Sequence, residues 1–446
     1  MSRALVLAYY FPPQGGAGVQ RTLKFVQYLP EFGHEVVVVT GPEAAGAEWA
    51  PPDVSLAAEV PADTPIFRAT GPEPPRRRGW SARAARWLRL RSPFARWWVE
   101  AAVEAGRRAA RVVDVDLVYA SMSPFETAAA AAQLSGELGR PWVADLRDPW
   151  ALDDWLVYPT RLHRRLELRR MRASLASAHT VIMNTPEATA QVQRNIPELN
   201  GKPVLTIPNG FDASDFGGAA PARSDAAFRI VHAGFVHVRD GRGQRRAMLT
   251  RELLGGAVKG MDAGTRSHVH LLRAVDRVLA ERPDLRGKLE VHLAGILSPA
   301  DRTVPGFDVV VAHGYLPHNE TVALLRSADL LFLPMHDLPE GQRARIVPGK
   351  TYEYLAARRP ILAAVPDGDV RDLLRRAGNA FVSRPSDIEM MAAIITEQVD
   401  RWLAREPAPS PREEVLAEFE RRALTRRLAE IFDAVATAGT ENRAEG

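Results

Sequence analysis

Two successive doubly wound parallel α/β sheets are the fold this sequence predicts, and three observations predict it. Apolar runs of strand length alternate with amphipathic helix patterns along both halves of the 446 residues. A stretch rich in Gly, Ala, Pro, Ser and Asp, residues 213–226, has linker composition and divides the halves. Polar and charged clusters follow apolar runs, at the C-terminal ends of strands, where such sheets hold ligands.

Residues 3–11 read as a buried strand, followed by the loop Pro12-Pro13-Gln14-Gly15-Gly16-Ala17-Gly18. Residues 19–32 have helical periodicity, with Val19, Leu23, Val26 and Leu29 on one face; Gly33 ends the run and 35–40 is a second strand. Three readings compete for this glycine-rich turn of a βαβ unit. A Walker A site needs Gly-Lys-Ser/Thr at its end, and none is there. A dinucleotide fingerprint fits at Gly16 and Gly18, but Arg21 stands at the third glycine and no acidic residue ends the second strand. The third is a loop whose bare backbone lets a diphosphate or sugar approach closely. A plain tight strand-to-helix turn explains the glycines as well.

A Pro-rich segment covers 42–75, with a short strand at 66–69. Residues 99–113 are helical, 116–121 a strand running into Ser123-Pro124-Phe125-Glu126, 127–138 an Ala-rich helix, and 142–145 a strand. That strand leads into Asp145-Leu146-Arg147-Asp148-Pro149-Trp150, either ligand-binding or a local ion-pair cluster. A basic helix at 161–178, a strand at 180–184, a helix at 186–194, a strand at 204–207 and the turn Asn209-Gly210-Phe211-Asp212 complete the first half.

The second half repeats the pattern: strands at 228–235, 289–294, 309–313, 330–334 and 380–383, helices at 267–280, 319–327, 369–377 and 386–404, and a charged excursion at 239–266. A final amphipathic helix spans 411–435, and 437–446 reads as a frayed, disordered tail. The stretch Pro348-Gly349-Lys350-Thr351-Tyr352-Glu353-Tyr354-Leu355-Ala356-Ala357 stands out. Pro348 suits a first helical residue, so the N–H groups of Gly349, Lys350 and Thr351 are expected to point from a positive helix end. Lys350 adds a charge there, and Glu353, one turn in, can accept hydrogen bonds from hydroxyls. A phosphate beside a polyol is the simplest ligand that fits. A capped surface helix with a solvated Lys and Glu is the plainer alternative.

Composition narrows the class. There is no cysteine, so no disulfide framework, thiolate nucleophile or Cys-type zinc site. Eleven histidines lie without H-E-x-x-H spacing, and no metal is expected. The formal net charge of +4 does not imply nucleic acid, and no nucleic-acid motif accompanies it. No apolar run is long enough to span a bilayer, so a cytoplasmic protein is expected. Asp114-Val115-Asp116 and Asp367-Gly368-Asp369 have a D-x-D form, but their places before a strand and at a helix start favour turn and capping roles.

In this order, the motifs resemble a glycosyltransferase of the two-Rossmann-domain (GT-B) type, similar to glycosyltransferase family 4. The resemblance rests on Tyr9-Tyr10-Phe11-Pro12-Pro13 with Gly15-Gly16-Ala17-Gly18-Val19-Gln20-Arg21, on Asp145 to Trp150, on Pro208-Asn209-Gly210-Phe211-Asp212, and on Pro348-Gly349-Lys350 with Glu353-Tyr354-Leu355-Ala356. It implies an acceptor-side domain at 1–212, the linker 213–226, a nucleotide-sugar domain at 227–410 and a helix at 411–436 crossing back to the first domain. The two domains would face across a cleft. It also implies a retaining, metal-independent transfer from a nucleotide-diphosphate sugar, with no cofactor, to a lipid-linked or surface-glycan acceptor.

The donor would be held by Gly15, Gly16, Gly18, Gly349, Thr351 and Glu353, the last on the ribose. Lys350 with Arg239 or Arg266 would meet the diphosphate, with Asp148 also catalytic and Arg147 and Glu126 on the acceptor side. Two departures stand out. Arg345 occupies the position of the first glutamate of the family's E-x7-E pair, with Glu340 the nearest acid upstream. Residues 124–128 lack the histidine many members carry. These departures motivate another reading, a catalytically inactive nucleotide-sugar-binding partner subunit; a sugar-nucleotide epimerase or hydrolase on the same fold is a third.

Residues 76–98 carry Arg76, Arg77, Arg78, Arg83, Arg86, Arg89, Arg91 and Arg96 among Trp80, Trp87, Phe94, Trp97 and Trp98, with no acidic residue. Cations interleaved with Trp suit an anionic membrane surface, so a peripheral place on the inner face of the cell membrane is expected. Burial of the tryptophans in the first core is the alternative.

Overall fold

The computed structural model describes residues 2–43, 52–75, 79–90, 92–218, 227–234 and 250–444. It divides into two units: Met1–Asp153, Tyr158–Asn209 and Arg421–Gly446 form the first, Asp154–Val157 and Gly210–Glu420 the second.

The first unit is built on a seven-stranded sheet of order β3-β2-β1-β4-β5-β6-β7. Its strands are β1 (Ser2–Ala8), β2 (His34–Thr40), β3 (Ile66–Arg68), β4 (Leu117–Met122), β5 (Trp142–Leu146), β6 (Thr180–Met183) and β7 (Val204–Thr206). All pair in parallel, with Ala4 opposite Val36 on one side and Leu117 on the other. The near-continuous apolar runs follow from this, since a parallel sheet is covered on both faces. On one face Leu5, Leu7, Val37 and Val39 pack with Trp98, Ala102 and Leu134, from helices Pro93–Val112 and Thr127–Leu138. On the other, Ala4, Val6 and Tyr119 pack with Phe25 of helix Ala17–Tyr28 and with Leu424, Leu428 and Phe432 of helix Arg421–Ala444.

The second unit holds a six-stranded parallel sheet of order β10-β9-β8-β11-β12-β13. Its strands are β8 (Phe228–Ala233), β9 (Leu289–Ala294), β10 (Val310–Gly314), β11 (Leu330–Pro334), β12 (Ile361–Ala364) and β13 (Ala380–Ser383). Helices Val269–Glu281 and Ile388–Leu403 cover one face. Helices His318–Arg326, Lys350–Ala356 and Asp369–Ala377 contribute to the core on the other. In each sheet the order reverses direction beside the first strand, β1 or β8, which is where doubly wound sheets open a binding crevice.

Several boundaries differ from expectation. The units part after Asn209, and Ala213–Phe216 forms a 3-10 turn of the second unit, capped by Asp212 accepting from Ser214 N–H at 3.0 Å. Residues 219–226 of the expected linker lie outside the described residues. The final segment is two helices, Glu413–Ala417 in the second unit and Arg421–Ala444 in the first, and the latter runs through most of the expected tail. Within 42–75, Asp53 caps a short helix, Val54–Ala58, that no periodicity signals. The D-x-D pairs serve structure: Asp116 accepts the Arg3 N–H at 2.8 Å, and Asp367 pairs with Arg371 at 2.7 Å.

Candidate donor and acceptor sites

In the second unit, helix Lys350–Ala356 begins a cluster of cations near the C-terminal end of β8. Its lysine reaches towards that strand's end. Nζ of Lys350 lies 3.4 Å from Nε2 of His232, and a Cβ on Gly234 would come within 2.5 Å of Nζ. Gly234 has φ +117° and Gly295, at the end of β9, φ +142°. A Cβ on Gly295 would lie 2.5 Å from the Gly234 carbonyl oxygen, so both glycines keep neighbouring strand ends bare and close.

Lys350 is half-buried. Desolvation of its head group and then the nearby positive charge of Arg266 lower its pKa to about 7, against the opposing pull of Glu353. Arg266 lies over the ring of Trp155 at 5.2 Å. Trp155 belongs to Asp154–Val157, the short segment that joins the second unit, and packs 5.2 Å from the ring of His336. Arg266 is therefore the phosphate-clamp candidate found beside Lys350; Arg239 lies outside the described residues.

The expected set of three free amides at the helix start is reduced. The Thr351 N–H is used within the first turn, donating to the Pro348 carbonyl at 2.9 Å, and its side chain is fully buried. Arg345, at the position of the expected first glutamate, pairs with Asp154 at 3.1 Å, and Glu340 is solvent-exposed and 3.6 Å from Arg384.

In the first unit the glycine-rich loop, the β5 end and the Pro208 turn meet on one buried guanidinium. Arg21, 1% exposed, donates from Nε and Nη2 to the two Asp145 carboxylate oxygens at 2.8 and 3.0 Å. Nη1 reaches the Pro208 carbonyl at 2.8 Å and Nη2 the Ile207 carbonyl at 3.0 Å. Tyr119 donates its hydroxyl to Asp145 as well, and burial followed by that carboxylate pushes its pKa far up, so it stays a neutral donor. Asp145 is thus structural, and the ion-pair reading of that residue holds.

Arg147 and Asp148 lie further along the same loop, 3.6 Å apart and partly exposed. A Cβ on Gly18 would overlap the Arg147 guanidinium where it now stands. Gly16, at φ 100° and ψ 154°, takes a conformation open to glycine, while Gly15 is buried. Glu126 pairs with Arg170 at 2.9 Å, and Arg170 lies 6.0 Å from the ring of Trp150, which stacks on Phe125. The structure thus joins Gly18 to Arg147 and Lys350 to Arg266. His232, Gly234 and Trp155 were not anticipated; the expected strand ran to 235, past Gly234, whereas β8 ends at Ala233.

Among the described residues, no group of three or more His, Asp or Glu is placed to hold a metal ion, and no helix is long and apolar enough to cross a membrane.

Residues 15–210 match the family described as Glycosyl transferase 4-like domain. A Salmonella typhimurium protein, WcaL, named for a glycosyltransferase of colanic acid biosynthesis, is 25% identical over 130 residues, 29% of this chain. The match spans 32% of that relative, about a third of its length. HepE of Anabaena, solved with UDP and glucose, superposes with a TM-score of 0.58 and 16% identity, covering 97% of this chain and 100% of its own. Sucrose-phosphate synthase from Thermosynechococcus elongatus gives 0.59 at 13% identity, covering 100% and 99%. Trehalose 6-phosphate synthase from Burkholderia multivorans gives 0.57 at 14%, covering 99% and 100%. The chain has the GT-B fold, and its first unit resembles glycosyltransferase family 4.

Proposed function

We propose that the protein is a retaining, metal-independent glycosyltransferase that moves a sugar from a nucleotide-diphosphate donor to a lipid-linked or surface-glycan acceptor. One observation carries the donor assignment: the Lys350 ammonium stands against the bare end of β8 at Gly234, with the charge of Arg266 acting on it. Burial and the Arg266 charge both disfavour the charged form of Lys350, and a bound diphosphate would offset both. As the glycosidic bond to the donor breaks, negative charge grows on the leaving diphosphate, and these groups stabilise it. Glu353, one turn along, takes the ribose hydroxyls. In the first unit, the glycine-rich loop with Gly15, Gly16 and Gly18 is the part that takes the donor, and Arg147 and Glu126 are on the acceptor side. The UDP and glucose in HepE and the polysaccharide pathway in the name of WcaL support this choice of substrates.

The acceptor class rests on a surface of the first unit. Helix Gly79–Trp87 exposes Trp80 at 83% and Trp87 at 49%, and Leu88, Leu90 and Leu162 are exposed beside Arg83, Arg86, Arg89, Arg161, Arg165 and Arg169. His163 Nε2 lies 3.1 Å from the Trp87 carbonyl and its ring 5.6 Å from the Trp87 ring, which ties this helix to the basic helix Arg161–Leu175. Exposed tryptophans among arginines suit an anionic bilayer surface. The expected patch is smaller than the sequence suggests: Trp98 and Phe94 are core residues, Trp98 donating to Thr127 Oγ1 at 3.0 Å, and Arg76, Arg77, Arg78 and Arg91 lie outside the described residues.

Purified protein incubated with radiolabelled nucleotide-sugars, EDTA and a membrane lipid extract tests the activity. Label in the lipid fraction, with the donor's anomeric configuration kept, is the expected result. Nucleotide release without transfer points instead to a hydrolase, and binding without either product to an inactive partner subunit.

A further inference from the structure

We propose that His232 is a positioning residue for donor binding: as a neutral hydrogen-bond acceptor buried in β8, it holds the Lys350 ammonium in place for the diphosphate. The inference rests on the donor-site reading given above.

The geometry fixes the tautomer. Nδ1 of His232 lies 2.9 Å from the main-chain carbonyl of Phe332 on β11, an oxygen that can only accept, so Nδ1 carries the proton. Nε2 is then left with its lone pair, and Nε2 is the atom 3.4 Å from Nζ of Lys350. The Tyr354 hydroxyl stands 3.3 Å from Nδ1 and accepts the Ala233 N–H at 2.9 Å, holding the edge of the ring from the helix that carries Lys350.

His232 is 1% exposed. Burial, then the charge of Lys350, push its pKa far down, with His268 and Arg266 adding smaller effects in the same direction and the Phe332 carbonyl opposing them. Protonating it would set a third cation beside Lys350 and Arg266. Lysine has four rotatable carbons and no fork geometry, so it binds phosphate well only when something else fixes its head. Gly234 leaves the space, Arg266 repels the ammonium, and the imidazole lone pair is the neutral group that receives it. Glu353 is the other group that draws Lys350 towards its charged form.

The test compares two substitutions that separate the ring's nitrogens. In H232N an amide replaces the Nδ1–H donor to Phe332 but nothing reaches Lys350. In H232Q the side-chain oxygen reaches the position of Nε2. Binding of UDP, GDP, ADP and dTDP, each against its free nucleoside, is measured by calorimetry from pH 6 to pH 9. H232N should lose roughly tenfold for the preferred diphosphate, with nucleoside affinity unchanged, and H232Q should recover part of it. In the parent, diphosphate affinity should fall as pH rises above about 7, as Lys350 loses its proton, and in H232N the fall should move to lower pH. Lys350→Met added to H232N should cost little beyond K350M alone. If H232N unfolds, H232F, which fills the same space without an acceptor, carries the same expectations. Losses from H232N and K350M that multiply, or an equal loss for nucleoside and diphosphate, overturn the positioning role while leaving the donor site intact. A parent that binds none of the four diphosphates overturns the donor-site reading, and this inference with it.

Discussion

At the scale of single residues, the two ends of the donor site should separate by ligand. Glu353→Ala should weaken nucleoside and nucleoside diphosphate alike, because the ribose is common to both. Lys350→Met should weaken the diphosphate far more, and lower kcat by about 10²–10³-fold if it meets charge that develops in the transition state. Calorimetry and steady-state kinetics read the two effects; matching losses on both ligands from K350M would remove it from the phosphate. Lys350 also links stability to pH. Its folded pKa of about 7 lies below the ordinary lysine value of 10.5, so between the two the unfolded chain binds more protons and stability rises with pH. The ligand-free parent should therefore gain thermal stability from pH 7 towards pH 9 relative to K350M, and saturating diphosphate should flatten that difference. Asp145→Ala leaves the Arg21 guanidinium buried and unpaired, and should cost about 3–5 kcal/mol in chemical denaturation. That one short helix, Lys350–Ala356, carries both Lys350 and Glu353 was legible in the sequence. His232 and Tyr354 were not, because they meet across a sequence separation of 122, which only the strand order brings together.

At the scale of elements, alternation of apolar runs made both sheets legible, and helix Thr127–Leu138 and strands Leu289–Ala294, Leu330–Pro334 and Ala380–Ser383 fall where the pattern put them. Elements without a long period escaped. Helix Val54–Ala58 is barely more than one turn among prolines. The start of helix Pro93–Val112 was hidden differently. Phe94, Trp98, Ala102, Ala105 and Ala109 make one buried stripe with helical spacing, but the arginines around them suggested a surface element instead. Separating that stripe from the exposed Trp80 and Trp87 sharpens the membrane test. Co-sedimentation with anionic vesicles should weaken at high salt, fall with Arg83→Glu, Arg86→Glu and Arg89→Glu combined, and fall with Trp80→Ala. Each basic side chain near the surface is worth about 1 kcal/mol, so three reversals should release most of the bound protein. Equal recovery in the supernatant with neutral and anionic vesicles would leave a soluble acceptor.

At the scale of the whole molecule, the first unit is discontinuous in sequence. Its sheet lies within residues 2–206, but Leu424, Leu428, Phe432 and Val435 close one face of it from more than two hundred residues downstream. A chain ending at Glu420 should therefore expose Ala4, Val6, Phe25 and Tyr119. It should bind a hydrophobic dye and lose the first unit to protease while the second persists; equal resistance of both would show that the helix only decorates the sheet. The same discontinuity sets a schedule for synthesis. At about 5–20 residues per second, a ribosome needs roughly 10–40 s to make residues 210–420. Throughout that interval the emerged first sheet lacks helix Arg421–Ala444 on one face, which is left to helix Ala17–Tyr28, while the second unit is still being made. Chaperone demand should accordingly track the nascent first unit, and crosslinks between it and a holdase should vanish only once residues 421–444 have left the exit tunnel.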